Sequence, residues 1–329
     1  MGWFDSDEKN NYLSATVSLI ANIALIIATA KVKIFSDSVR KVQYSNCAVR
    51  LIFSVIVMLT SPTLEYISKY KYLYIVKGGV TLPFVLGQIL LLLFIVFVVI
   101  SCLFPTVQHL QVAQLLKSNG MNQDRMALLT HLSILVIAVI TAVITTIGLI
   151  PSEDEREFSY DIVYWLNGEG YEAYLIASLG TYLESDHTDI KEQICTVYIL
   201  TILLFAVIIV IVCRIYIETQ MRQKLQSEIS MKSQKQLNFV LLIQFLLTLI
   251  TIHIPFYICF VLPFIDMNNE TMSMYLPFLF SWYPAINPIL IIVSVRSIRD
   301  RFSWKHMTST SHSSSHHTQV FQTRNSIKS

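Results

Sequence analysis

The chain has 329 residues, 54% of them hydrophobic and only 14% charged, with a mean hydropathy of +0.57. A soluble domain carries about 25% charge, so a water-soluble globular fold is excluded, and a net charge of +2 gives no sign of a nucleic-acid partner. Five single cysteines (Cys47, Cys102, Cys195, Cys213 and Cys259) sit in or beside apolar runs without CxxC spacing, which points to free thiols rather than a disulfide framework or a metal site.

A short polar N-terminus, Met1 to Asn11, lacks the pattern of a cleavable signal. Run one, Tyr12 to Ala30, has no charge and one amide, Asn22, and Lys31, Lys33, Arg40 and Lys41 follow it. Run two, about Tyr44 to Leu64, carries Arg50 as its only charge, and a link rich in tyrosine and lysine leads from Glu65 to Lys77. Run three begins near Thr81 and stays uncharged to Leu116, so its end is expected to project into water. Run four spans Met126 to Ile150 and stops at Pro151. The longest link, Ser152 to Glu192, interleaves acids with aromatics and reads as a loop. Run five is Gln193 to Cys213, and a mixed-charge segment from Arg214 to Lys235 precedes run six, Gln236 to Ile265, which contains Pro255 and Pro263. After a polar turn, run seven, Met272 to Val295, carries Trp282, Pro284 and Asn287-Pro288 before Arg296, Arg299 and Arg301. The tail from Ser303 is rich in Ser, Thr and His, a composition that predicts disorder.

Crossing about 30 Å of hydrocarbon takes roughly 20 helical residues, and each run provides that. Prolines inside such runs are tolerated because neighbouring helices or water take up the carbonyls they free. The expected fold is all-α: one seven-transmembrane helix bundle over residues 1–302, with helices at about 12–33, 44–66, 81–108, 126–150, 193–216, 236–264 and 272–295, and a cytoplasmic tail over 303–329. The links after runs one, three and five, with the tail, hold seventeen Lys and Arg; the opposite side holds six, Arg50 set aside. Positive charge collects on the cytoplasmic side, so the N-terminus is expected outside and the C-terminus inside.

Four passages resemble the large nematode serpentine chemoreceptor superfamily, near its Srd and Str branches. They are Pro151-Ser152-Glu153-Asp154-Glu155, the Lys/Gln-rich lead Ser227 to Gln236, Ile254-Pro255 with Pro263, and Leu276-Pro277-Phe278 through Trp282-Tyr283-Pro284-Ala285-Ile286-Asn287-Pro288 to the arginines. The resemblance implies a chemosensory G-protein-coupled receptor of the plasma membrane or sensory cilium, with a small-molecule ligand, a heterotrimeric G protein and membrane lipid as partners. No nucleophile, carboxylate dyad or metal cluster lies within the runs, so neither a cofactor nor enzyme activity is expected. The chain departs from the pattern in places. Where relatives end helix three with an aromatic-arginine pair, this chain reads Phe104-Pro105-Thr106-Val107-Gln108-His109, and no tyrosine follows Asn287-Pro288 at the place it takes in rhodopsin-like receptors. No cysteine is available for the disulfide between helix three and the second outer loop.

Phe84, Gln88, Tyr198, His253, Tyr257, Phe260, Trp282 and Tyr283 are the candidate lining of a mostly apolar ligand cavity in the outer half of the bundle, the usual make-up of small-molecule sites. For His253 and the aromatics of run seven, packing and interfacial belting are the competing readings. Pro255, Asn287 and Pro288 are candidate hinge positions. Gln108, Arg222, Lys232, Arg296 and Arg299 are the candidate G-protein-facing residues. Arg50 lies only about 9 Å into its span at 1.5 Å per residue, so it is expected to snorkel to the inner interface or to make a structural pair within the bundle. Asn269-Glu270-Thr271 is a glycosylation sequon close to run seven, and Thr308 to Thr318 offers phosphorylation sites. His312, His316 and His317 have no partner ligands in their spacing, so no metal is expected. The alternatives to a coupling receptor are a polytopic transporter and a receptor-fold protein that does not couple. The first would call for internal repeats and paired ions at midplane; the second follows from the missing arginine of helix three.

Overall fold

A computed structural model describes residues 2–31, 37–67, 72–117, 123–167, 173–178, 190–223, 228–261, 270–295 and 298–299. The helices are α1 (Gly2–Lys31), α2 (Asp37–Thr60), α3 (Phe84–Lys117), α4 (Gln123–Leu149), α5 (Glu153–Asn167), α6 (Ile190–Gln223), α7 (Glu228–Thr248), α8 (Ile254–Val261) and α9 (Glu270–Ser294). A π-helical turn, Leu249–His253, joins α7 to α8. Three strands, β1 (Thr63–Ile67), β2 (Tyr72–Val76) and β3 (Tyr174–Ser178), form one antiparallel sheet in that order.

Among the described residues, six helical stretches are long and apolar enough to cross a membrane, and Phe278–Ser294 within α9 adds a shorter apolar one. With α7, the π turn and α8 counted as one span, the bundle has seven. Helix α3 is central and packs against α2, α4, α6 and α7, while α1 is held between α2 and α9. On α4, Leu128, Leu132, Leu135, Val139, Val143 and Ile147 are exposed at helical spacing, and α6 shows a similar stripe from Ile194 to Ile215. An unbroken apolar stripe of this kind is suited to hydrocarbon rather than water.

Several boundaries differ from the sequence expectation. Helix α1 continues from the first run back to Gly2, and the two asparagines that were assigned to a polar terminus have partners: Asn10 Nδ2 donates to Ser281 Oγ (3.3 Å) and Asn11 Nδ2 to Ser61 Oγ (3.0 Å). Helix α2 stops at Thr60 rather than near 66. Pro62 disfavours a helical Ser61, which adopts φ +36° while its N–H closes the helix onto Val57 O (2.8 Å). Gly79, at φ +68°, lies over this turn; a Cβ there would meet Leu59 O at 3.1 Å.

The link after α2 is a hairpin, with Thr63 opposite Val76 and Ile67 opposite Tyr72, and β3 adds to its far edge with Tyr72 opposite Ser178. Side chains alternate along a strand. Leu64, Leu73, Ile75, Leu175 and Ala177 therefore join the main bundle core, while Tyr72, Tyr74, Val76, Tyr174 and Ile176 pack with Val163 and Ile162 of α5. The long link is thus not a plain loop: bundle, sheet and α5 make three layers at one end. Pro151-Ser152-Glu153-Asp154-Glu155 starts α5 as a capping box: Ser152 N donates to Glu155 Oε2 (2.6 Å), and Glu155 N donates to Ser152 Oγ (3.4 Å). Lys191 ties the same carboxylate to α6 at 3.3 Å. All five cysteines are free and buried.

Lys77 closes the sheet from below. Its N–H donates to Ala173 O (3.0 Å), and its ammonium, in a side chain only 3% exposed, donates to Gly78 O (3.3 Å) and Val80 O. Burial lowers its pKa below the usual 10.5. The unfolded chain then holds this proton over a pH range where the folded chain releases it, so Lys77's contribution to stability rises with pH from the folded value up to 10.5. The difference in melting temperature between wild type and Lys77→Met is expected to move in favour of the wild type across that range; a difference that stays flat contradicts it.

Candidate functional site

Proline has no N–H and frees the carbonyl four residues before it. In α3, Pro105 frees Ser101 O, and the Tyr283 hydroxyl of α9 donates to that oxygen at 3.4 Å. In α9, Pro288 frees Pro284 O, which accepts from Asn22 Nδ2 of α1 at 3.1 Å. Each unsatisfied carbonyl in hydrocarbon costs several kcal/mol, so these contacts tie α3, α9 and α1 together where the backbone is weakest. Tyr283 Oη also accepts from Thr248 Oγ1 (3.3 Å) and from Asn287 Nδ2 (3.4 Å), and Asn287 Oδ1 accepts from Gln244 Nε2 (3.3 Å). The result is a buried polar chain running Ser101, Tyr283, Asn287, Gln244. It abuts the π turn, where Ile254 N–H bonds back to Leu249 O just ahead of Pro255. Isolated π turns recur at functional positions in helices.

Between this chain and the sheet lies a set of rings. Phe94 stacks on Phe53 (5.9 Å) and meets Phe280 edge-on (5.9 Å); Phe256 meets Phe280 (6.1 Å) and Phe260 (5.0 Å). At the other end, a small cleft lies among α1, α2, α3, α7 and α9 and is lined by Thr29, Gln43, Gln108, Gln111, Gln244 and Ile291 among others. Gln108 Nε2 donates to Gln43 Oε1 at 3.5 Å. Gln244 belongs to both features: it ends the polar chain and walls the cleft.

The candidate ligand residues do not gather in one place. Phe260 and Tyr283 are buried at the ring set and the polar chain. Tyr257 donates its hydroxyl to Leu200 O of α6 (3.0 Å), and Tyr198 pairs with Thr141 of α4 at 3.2 Å. Gln88 donates to Tyr174 O in β3 (3.4 Å), and Phe84 lies beneath the Arg156 guanidinium, 4.7 Å from its ring centre. Trp282 Nε1 donates to Asn10 Oδ1 (2.8 Å) and so faces α1. His253 is 1% exposed in the π turn, and its Nδ1 has no hydrogen-bond partner among the described residues. Of the candidate G-protein-facing residues, Gln108 is in the cleft wall, Arg222 is exposed near the end of α6, and Arg299 donates to Val293 O (3.2 Å). The Lys232 side chain, Asn269, Arg296 and the tail with its histidines and phosphorylation sites lie outside the described residues. Arg50 does not snorkel: it is 1% exposed and faces the bundle, as the second alternative has it, but its Nε and Nη1 have no partner among the described residues. A bond from Ser54 to Ser18 (2.7 Å) sets that face of α2 against α1. Thr248, Gln244 and Ser101 were not singled out by sequence. Their signal is that they are polar positions within apolar runs, close to a proline or to the kink.

Seven apolar spans tied through proline-freed carbonyls, with a kinked sixth span leading to an open cleft, define a multi-pass membrane protein of the serpentine receptor class. The chain belongs to the Str family of serpentine-type seven-transmembrane G-protein-coupled chemoreceptors, whose profile matches residues 8–303. This is a family of receptors rather than of enzymes. Comparison with curated proteins gives no match.

Proposed function

We propose that the chain is a plasma-membrane chemoreceptor that detects an external small molecule and signals to a heterotrimeric G protein. Its N-terminus and sheet would face outside and its cleft the cytoplasm, an orientation supported by the seventeen Lys and Arg in the links and tail of that side. The observation that carries the signalling reading is the double role of Gln244, a buried residue hydrogen-bonded to Asn287 within the polar chain and also part of the cleft wall. A ligand held against Phe256, Phe260 and Phe280 shifts the receptor only through different affinity for its two states. Phe256 and Phe260 sit on α8, directly after the π turn, and Phe280 on α9 one turn before Tyr283, so a ligand that moves them strains the bonds of Tyr283 and Asn287 and changes the cleft at Gln244 and Gln108. The G protein would meet that cleft and the basic residues Arg222, Lys232, Arg296 and Arg299. A glycan at Asn269 would sit on the outer side.

The test is calcium or cyclic-nucleotide signalling in cells expressing the chain, screened against volatile and water-soluble small molecules. Surface delivery is established first with an N-terminal tag on unpermeabilised cells. The expected result is a saturable response that Asn287→Leu abolishes with surface level unchanged. A response that survives Asn287→Leu removes the polar chain from the mechanism. Silence with several supplied G proteins, in cells whose surface carries the tag, favours a receptor fold that does not couple.

A further inference from the structure

Arg50 heads the fully buried side chains by size. Its surroundings can be built from the contacts around it. Helices α1 and α2 are antiparallel, and Ser54 Oγ donates to Ser18 Oγ at 2.7 Å. One turn along α1 from Ser18 is Asn22, and one turn back along α2 from Ser54 is Arg50, so these two share a level. Asn22 reaches Pro284 O, which brings α9 to the same level. On the α3 side, Phe53 stacks on Phe94; two turns back along α2 is Asn46, and two turns on along α3 is Ser101. Arg50 therefore lies where α1, α2, α3 and α9 meet, within about a turn of Asn22, Asn46 and Ser101, each at most 2% exposed.

The hydrogen-bond balance at this junction is one-sided. Arg50 Nε and Nη1, Asn46 Nδ2 and Ser101 Oγ have no partner among the described residues, and Asn22 Oδ1, an acceptor, has none either. Four unpaired groups able to donate, two of them the cation's own, thus stand against one unpaired amide oxygen, and no anionic group is among them. The ion pairs Lys191–Glu155 and Arg214–Glu218 lie elsewhere. The guanidinium of Arg50 is a charge taken almost wholly out of water. An unpaired charge in an apolar interior costs more than the whole net stability of a folded domain. Water would satisfy the donors but leave the charge.

We infer that Arg50, with Asn46 and Ser101, holds a small inorganic monovalent anion of chloride's size where α1, α2, α3 and α9 meet. A point-like anion suits donors carried by more than one helix, and the near-complete burial of the three side chains favours it over a bulky organic acid. The anion would join the two proline-weakened helices, α3 and α9, through α2.

Thermal unfolding of the purified full-length protein, followed over a chloride series at constant ionic strength with gluconate as the balance, tests this directly. A ligand that binds only the folded form raises the melting temperature with the logarithm of its concentration above the dissociation constant. The wild type is expected to show that rise, bromide to substitute for chloride, and Arg50→Gln to be flat throughout. Asn46→Leu and Ser101→Ala keep the charge, and each is expected to move the rise to higher chloride, which keeps the proposal testable if Arg50→Gln does not fold. A flat wild type overturns the site, as does an Arg50→Gln series with the wild-type slope, or a rise that neither Asn46→Leu nor Ser101→Ala displaces. The readout is stability alone, so it is independent of any agonist or G protein.

Discussion

Phe280→Ala is expected to destabilise the bundle by about 3–5 kcal/mol, the cost of truncating a fully buried phenylalanine. The ring is 1% exposed and presents its edge to Phe94 of α3 and Phe256 of α8, so its loss opens a cavity at the meeting point of three spans. In a membrane the apolar solvent offers little hydrophobic drive for association between helices, and close packing carries more of it. The loss should therefore appear chiefly as lost contact rather than lost transfer energy. The control is the adjacent Leu279, 37% exposed, where truncation to alanine should cost little. Comparable drops in melting temperature for the two variants would show that the ring set does not hold these spans together.

Gly148→Ala is the second large effect expected, and it works by crowding. A Cβ at position 148 would lie 2.3 Å from Cys195 Cβ, 3.0 Å from Lys191 O and 3.1 Å from Cys195 Sγ. The closest neighbours are fixed to the backbone of α6 and cannot swing aside, so α4 and α6 must separate. The cost should reach or exceed the roughly 1–3 kcal/mol usual for overpacking. The location of the clash gives a sharper test. Cys195→Ala keeps the offending Cβ and should not rescue Gly148→Ala, whereas Cys195→Gly should recover part of the lost melting temperature. Equal rescue by both would place the conflict at the sulfur and contradict the geometry.

The spans were legible because their signal is collective: some twenty consecutive apolar residues outweigh any local irregularity. The prolines were legible too, as positions where carbonyls must find other donors. Their partners were not, since nothing local to Asn22 or Tyr283 indicates which helix it will face. The outer layer was hidden for a different reason. Helix α5 is acidic along its exposed side and buries only a narrow face through Glu155, Ser159 and Val163, with Ile162 half-buried, so its composition resembles a loop even though Ser152 and Glu155 form a recognisable cap. Strands of five residues carry little periodicity, and the pairing of Tyr74 with Ile176 spans about a hundred residues of chain, beyond any local pattern. Candidate site residues were recognisable by type, but side-chain direction decides role: Trp282 faces α1 and Tyr198 faces α4.

The sheet over one end of the bundle is closed by main-chain hydrogen bonds, while the cysteines are single and buried within the helices. A closure of that kind has no oxidation step to wait for. It can form as soon as the two links meet, in a reducing or an oxidising compartment alike, and a thiol reductant strong enough to open a disulfide-stapled receptor should leave this one shut.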